Sequence, residues 1–107
     1  MKLSNLIFCA MMAAGIHTQS YAADLVAGEK ISQSCALCHG QFGITSMAGT
    51  PSIAGQPEVY LSSQLKQFRD GKRHNEVMSQ MAKPLSNADI DNVSAWFAQF
   101  ETELKKR

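Results

Sequence analysis

The sequence predicts a small all-α domain of three main helices and two loops, and three observations predict it. Apolar residues recur at helical spacing around Leu61 and again around Ile90. No segment alternates apolar and polar residues as a half-buried strand would. Glycine and proline concentrate between the periodic segments, where they punctuate loops. The chain has 107 residues, room for one domain, with no internal repeat or low-complexity stretch.

The first residues read as a leader. Lys2 gives a positive start, Leu6–Ile16 is an unbroken apolar run, and "HTQSYAA" ends in small residues. Ser20 and Ala22 suit the −3 and −1 positions of a signal-peptidase site, which places cleavage after Ala22. The run is shorter than the about 20 apolar residues that span a bilayer, so a retained membrane anchor is not expected. Residues 1–22 are therefore expected to be a removed signal peptide, taking Cys9 and His17 with them, and residues 23–107 the exported domain.

Losing Lys2 leaves nine basic and nine acidic residues, from ten and nine in the full chain. A neutral polypeptide argues against nucleic acid as a partner. Lys66, Arg69, Lys72 and Arg73 do cluster in "KQFRDGKR". They suit either a solvated helix end, where cations meet the negative pole of the dipole, or a place beside an anionic group. Only Cys35 and Cys38 remain in the exported domain, too few for a disulfide framework. A domain this small seldom builds enough core alone, so another element is expected to complete it.

Asp24 can cap a first helix over about residues 25–36, with Leu25, Val26, Ile31 and Cys35 apolar. Gly28 lies inside it, where glycine costs about 1 kcal/mol against alanine and often marks close approach of another backbone. Gly40–Gln56 is a long loop holding Pro51 and keeps no helical or strand period; loops of that length are usually functional. Pro57 opens the second helix, whose stripe Leu61, Leu65, Phe68 ends at Gly71. "KRHNEVMSQMAKP" forms a second loop with room for a short helical turn. In the last helix Ser86 and Asp89 make a capping box. Ile90, Val93, Phe97, Phe100 and Leu104 follow on one face, and Lys105, Lys106 and Arg107 close it.

The chemistry lies in "SQSCALCHGQFG", where Cys35, Cys38 and His39 form C-x-x-C-H. A thioredoxin-type dithiol needs a βαβ setting, which is not visible. A zinc site needs a second ligand pair, and His74 is the one further histidine in the exported domain. C-x-x-C-H is the attachment signature of a c-type haem. The cysteines add to two vinyl groups of one porphyrin edge, and the adjacent histidine comes beneath the iron. Export and an undersized all-α core agree with that reading, since a covalently held apolar plate supplies the missing core.

Four residues qualify as the sixth iron ligand: Met47, His74, Met78 and Met81. Met47 is close to His39 along the chain and suits packing or surface; His74 follows a run of charges and suits solvent. Met78 and Met81 precede the last helix, where the chain can return across the opposite haem face. Spacing alone does not separate these two.

The chain resembles a class I cytochrome c from about Leu25 to Phe100. It is most similar to the small bacterial c-553 cytochromes and to each half of the tandem c-4 type. "AGEKISQSCALCHG", "TPSIAGQPEVYLSSQLKQFRDGKR" and "VMSQMAKPLSNADIDNVSAWFAQF" carry the resemblance. It implies one haem c held by Cys35 and Cys38, with His39 as proximal ligand and Met78 as distal ligand. It implies that the Pro51 carbonyl accepts the histidine Nδ1–H, and that Met81 takes a core position. Gly28 and Trp96 fall where the first and last helices cross, Trp96 replacing the more usual tyrosine. Gln56, Tyr60 and Arg73 fall near the haem edge and propionates. The tandem relatives have two haem domains, whereas this sequence holds one C-x-x-C-H.

The resemblance implies a periplasmic monomer that passes single electrons between redox partner proteins, with no separate catalytic centre. Two alternatives are a haem subunit docked permanently in a periplasmic dehydrogenase or oxidase, and a ligand-sensing or peroxidatic haem protein with a labile methionine.

Overall fold

The computed structural model describes residues 22–101 together with residues 14 and 15. Four helices and no strand occur among them: α1 (Leu25–His39), α2 (Glu58–Arg69), α3 (Glu76–Ala82) and α4 (Asn87–Ala98). No helix among the described residues is long and apolar enough to cross a membrane. Most of the expected leader, and the tail from Thr102 with Leu104, lie outside the described residues.

The caps set the helix starts. Asp24 Oδ1 accepts from the amides of Val26 (2.9 Å) and Ala27 (3.1 Å) to start α1. The helix continues past residue 36, its expected end, because no breaker intervenes before Gly40, which turns out of it at φ +84°. All of C-x-x-C-H is therefore helical. Pro57 stands at the N-cap of α2, one position before the expected first turn, and its carbonyl accepts from Tyr60 and Leu61. The expected capping box of α4 is present: Ser86 Oγ accepts from the Asp89 amide, and Asp89 Oδ2 accepts from the Ser86 amide, both at 3.0 Å.

One element falls within the sequence expectation and one departs from it. The segment expected as a loop with room for a short helical turn holds the seven-residue α3, capped by Asn75, beside the three main helices. α4 stops at Ala98 instead of running on to Leu104. Its last carbonyls are taken elsewhere: Phe97 O accepts from the Gly55 amide at 3.0 Å, and Trp96 O from the Gln99 side chain at 2.9 Å. Phe100, freed from the helix, packs on Phe42 and edge-on to Trp96, with ring centroids 5.1 and 5.0 Å apart.

The helices pack in a fixed order, α1 on α4, α4 on α2, and α2 on α3. At the α1–α4 crossing a Cβ on residue 28 would collide with the Asn92 carbonyl and lie 3.1 Å from Trp96 Cβ, so only glycine fits. Asn92 also accepts from the Asp24 amide at 2.9 Å, which fixes the start of α1 against α4. Leu61, Val93 and Phe97 form the buried core, with Ile31, Cys35, Ile53, Leu65 and Trp96 packed around it. Each such large apolar side chain contributes about 1.5–3 kcal/mol when fully buried. Across α2 and α4, Asp91 Oδ1 accepts from Ser62 Oγ (2.8 Å) and Lys66 Nζ (3.0 Å).

Candidate functional site

The C-terminal half of α1 carries Cys35, Cys38 and His39. Cys35 stands three positions before Cys38 and four before His39, so it neighbours both along the helix surface. Both cysteines are half-buried, and no disulfide joins them. Burial pushes the Cys35 thiol above its ordinary pKa, and a hydrogen bond with Ser34 opposes that rise. Among the described residues no group of three His, Cys, Asp or Glu side chains is arranged to hold a metal ion.

His39 is buried, and its Nδ1 lies 2.8 Å from the carbonyl oxygen of Pro51. A carbonyl can only accept, so this contact assigns the ring proton to Nδ1 and leaves the Nε2 lone pair available. The long loop is built to make the contact. Gly40 reverses the chain where a Cβ would strike the Ile44 carbonyl. The Gly43 carbonyl then accepts from the amides of Ile53 (2.7 Å) and Ala54 (3.0 Å). Ser52 Oγ bridges back to Thr45, accepting from its amide at 3.0 Å. These bonds close the loop on itself and bring Pro51 under the histidine ring.

The four candidates for the other ligand separate by exposure. Met47, His74 and Met81 are exposed; Met78 alone is half-buried. Met81, expected on an apolar core position, is 38% exposed, and Ala82 beside it is fully buried instead. Met78 lies in the first turn of α3, and its amide donates to Asn75 Oδ1 at 2.9 Å. The helices bearing His39 and Met78 are the two ends of the packing order. Among the described residues they do not pack on each other. Of the residues expected near a haem edge, Tyr60 and Gln56 are exposed. Arg73 is engaged elsewhere, donating to Gln64 Oε1 at 2.6 Å and lying over the Phe68 ring at 4.6 Å.

Two contacts have little or no signature in the sequence. Asn75 caps α3, and asparagine before the helix-forming run "EVMSQMA" was the available signal. Arg69 donates to the Leu85 carbonyl at 3.2 Å, a contact between distant positions with no local signature.

The cytochrome c family model matches residues 25–101. The chain belongs to the cytochrome c family. This cytochrome is 45% identical over 73 residues to the thiosulfate dehydrogenase electron acceptor of Thiomonas intermedia, covering 67% of this chain and 34% of that protein. It is 36% identical over 83 residues to cytochrome c-554(548) of Halomonas halodenitrificans, covering 75% of this chain and all of that one. The crystal structure of reduced cytochrome c4 from Pseudomonas stutzeri matches it with TM-score 0.67 and 31% identity, over 75% of this chain and 51% of that one. The cytochrome thus spans about half of the c4 chain and a third of the electron acceptor. The all-helical architecture and these matches make it a class I cytochrome c.

Family membership brings covalently bound haem c as the cofactor, and this cytochrome's residues fit it. Cys35 neighbours both Cys38 and His39 along α1, and the Nδ1 contact leaves Nε2 to coordinate. The protein core also lacks apolar volume of its own: Ile44, Met47, Tyr60, Val77 and Met81 all stay exposed. A large apolar plate is what such a surface needs.

Proposed function

We propose that the protein is an exported, monomeric electron carrier of the bacterial periplasm, holding one haem in this domain and passing single electrons between partner proteins. The observation that carries the reading is the His39 Nδ1–Pro51 contact of 2.8 Å at the end of a C-x-x-C-H helix. When bound, haem c supplies a one-electron Fe(II)/Fe(III) couple. Cys35 and Cys38 would hold it through two thioethers, and His39 would coordinate through Nε2. Pro51 orients the imidazole and raises its basicity. Met78 would supply a thioether as the second iron ligand, a soft donor that favours Fe(II) and raises the potential relative to a second histidine. With His39 and Met78 both holding the iron, no place would be left there for a substrate, which supports a carrier over an enzyme. The half-buried cysteines lie beside Leu37, which is 81% exposed, and that edge suits a small transient contact with a redox partner. Residues 1–22 serve as the export leader.

A second reading, a docked subunit of a dehydrogenase, is favoured by the likeness to the Thiomonas protein named for its role as an electron acceptor. Spectroelectrochemistry and gel filtration of the exported protein test both. A reversible one-electron wave from a free monomer supports the carrier. Purification at fixed stoichiometry with a dehydrogenase supports the subunit, and rapid reaction with carbon monoxide or peroxide contradicts both.

A further inference from the structure

Helix α3 has a thin hold on the molecule. Of its seven residues only Ala82 is buried, and it packs on α2 alone. A helix this short does not persist unaided, because nucleation costs more than so few bonds return. Its placement therefore depends on its two ends. At the first, Asn75 Oδ1 accepts from the amides of Val77 (3.0 Å) and Met78 (2.9 Å), while the Asn75 amide donates to Ser79 Oγ at 3.1 Å. At the second, the Leu85 amide donates to Ala82 O at 3.1 Å. The Leu85 carbonyl in turn accepts from Arg69 Nη1, at the end of α2, at 3.2 Å.

Arg69 is itself aimed. Its Nε donates to Asp70 Oδ1 at 2.9 Å and its Nη2 to Asp70 Oδ2 at 3.4 Å. Two N–H groups engage the carboxylate, and a third reaches the Leu85 carbonyl. A guanidinium is a planar fork, so fixing one edge fixes the direction of the other. The latch therefore ties the turn after α3 to the end of α2.

We propose that Arg69 is a positioning residue for the Met78 ligand: its hold on the Leu85 carbonyl keeps α3 seated and the Met78 thioether on the iron, closed to competing ligands. The proposal rests on Met78 being that ligand. Without the latch α3 is held by its cap and Ala82, and the seat opens more often. A small ligand then binds in proportion to the open fraction.

The test titrates imidazole into the oxidised holoprotein and follows loss of the far-red iron–sulfur band. Arg69→Met keeps the aliphatic stem and removes the latch. It is expected to keep the band without imidazole but to bind imidazole about tenfold more tightly, the change expected from losing one charge-assisted bond. Asp70→Asn, which leaves Arg69 in place but poorly aimed, should fall between, and Arg69→Lys should restore part of the effect. Lys66→Met, whose partner is Asp91 on α4, should match wild type. If Arg69→Met does not retain haem, Asp70→Asn carries the same reading. Imidazole affinity unchanged in the Arg69 and Asp70 variants, with the band present, overturns the proposal. A wild-type protein without the band overturns the Met78 assignment, and the proposal with it.

Discussion

His39 and Pro51, twelve positions apart in sequence, meet at 2.8 Å through the imidazole Nδ1 and a backbone carbonyl. The acceptor is backbone, so the bond depends on loop shape and not on the proline side chain. Pro51→Ala should therefore keep the covalent haem and the His39 ligand. It should lower stability by about 0.4–1 kcal/mol, through the extra freedom of the unfolded chain. Urea unfolding of the holoprotein, with the spectrum as control, checks both parts.

Gly28 sits where α1 and α4 nearly touch. Gly28→Ala places a methyl against the Asn92 carbonyl, which is backbone and cannot swing aside. The helices must separate, at about 1–3 kcal/mol for an overpacked contact. A fall of that size in unfolding free energy, with the haem spectrum unchanged, is the expected result.

Asp91 ties α4 to α2. Its hydrogen bond from Ser62 lowers its carboxyl pKa, partial burial raises it, and Lys66 lowers it further, leaving the net value below the ordinary carboxylate range. A folded-state pKa below the unfolded value stabilises the protein above the unfolded pKa. That stabilisation is lost as pH falls through the folded one. The side chain is 42% exposed, so solvent screens the pair and the contribution is about 0.5 kcal/mol. Asp91→Asn should be slightly less stable than wild type at neutral pH, and the difference should vanish in acid.

Much of this molecule is legible in its sequence because the signals are local. Asp24, Ser86 with Asp89, and the Leu61 and Ile90 stripes announce themselves within a turn or two. C-x-x-C-H names its own chemistry. Helix α3 is not legible in that way, since seven residues are too few for a periodic stripe and its support comes from Asn75 and from Arg69 on another helix. The end of α4 is hidden for a related reason. Phe100 continues the apolar spacing, but Gly55 and Gln99 take the carbonyls that would extend the helix. Met78 and Met81 are alike in sequence; in the structure Met78 is half-buried and Met81 exposed.

The two thioether bonds give a simple chemical test. Replacing Cys35 and Cys38 together by alanine should yield a chain from which acid and organic solvent extract all haem. The wild-type chain should keep its haem after denaturation. Haem persisting on the denatured double variant would contradict covalent attachment at these cysteines.

The pairing of His39 with Met78 is tested most directly by the absorption spectrum of the oxidised protein, read in wild type and in two variants. Wild type should show the weak far-red iron–sulfur band. Met81→Ala should keep it, and Met78→Ala should lose it while retaining covalent haem, a lower potential and an open site for added ligands. Loss of the band in Met81→Ala with retention in Met78→Ala, or its absence from wild type, would contradict the account.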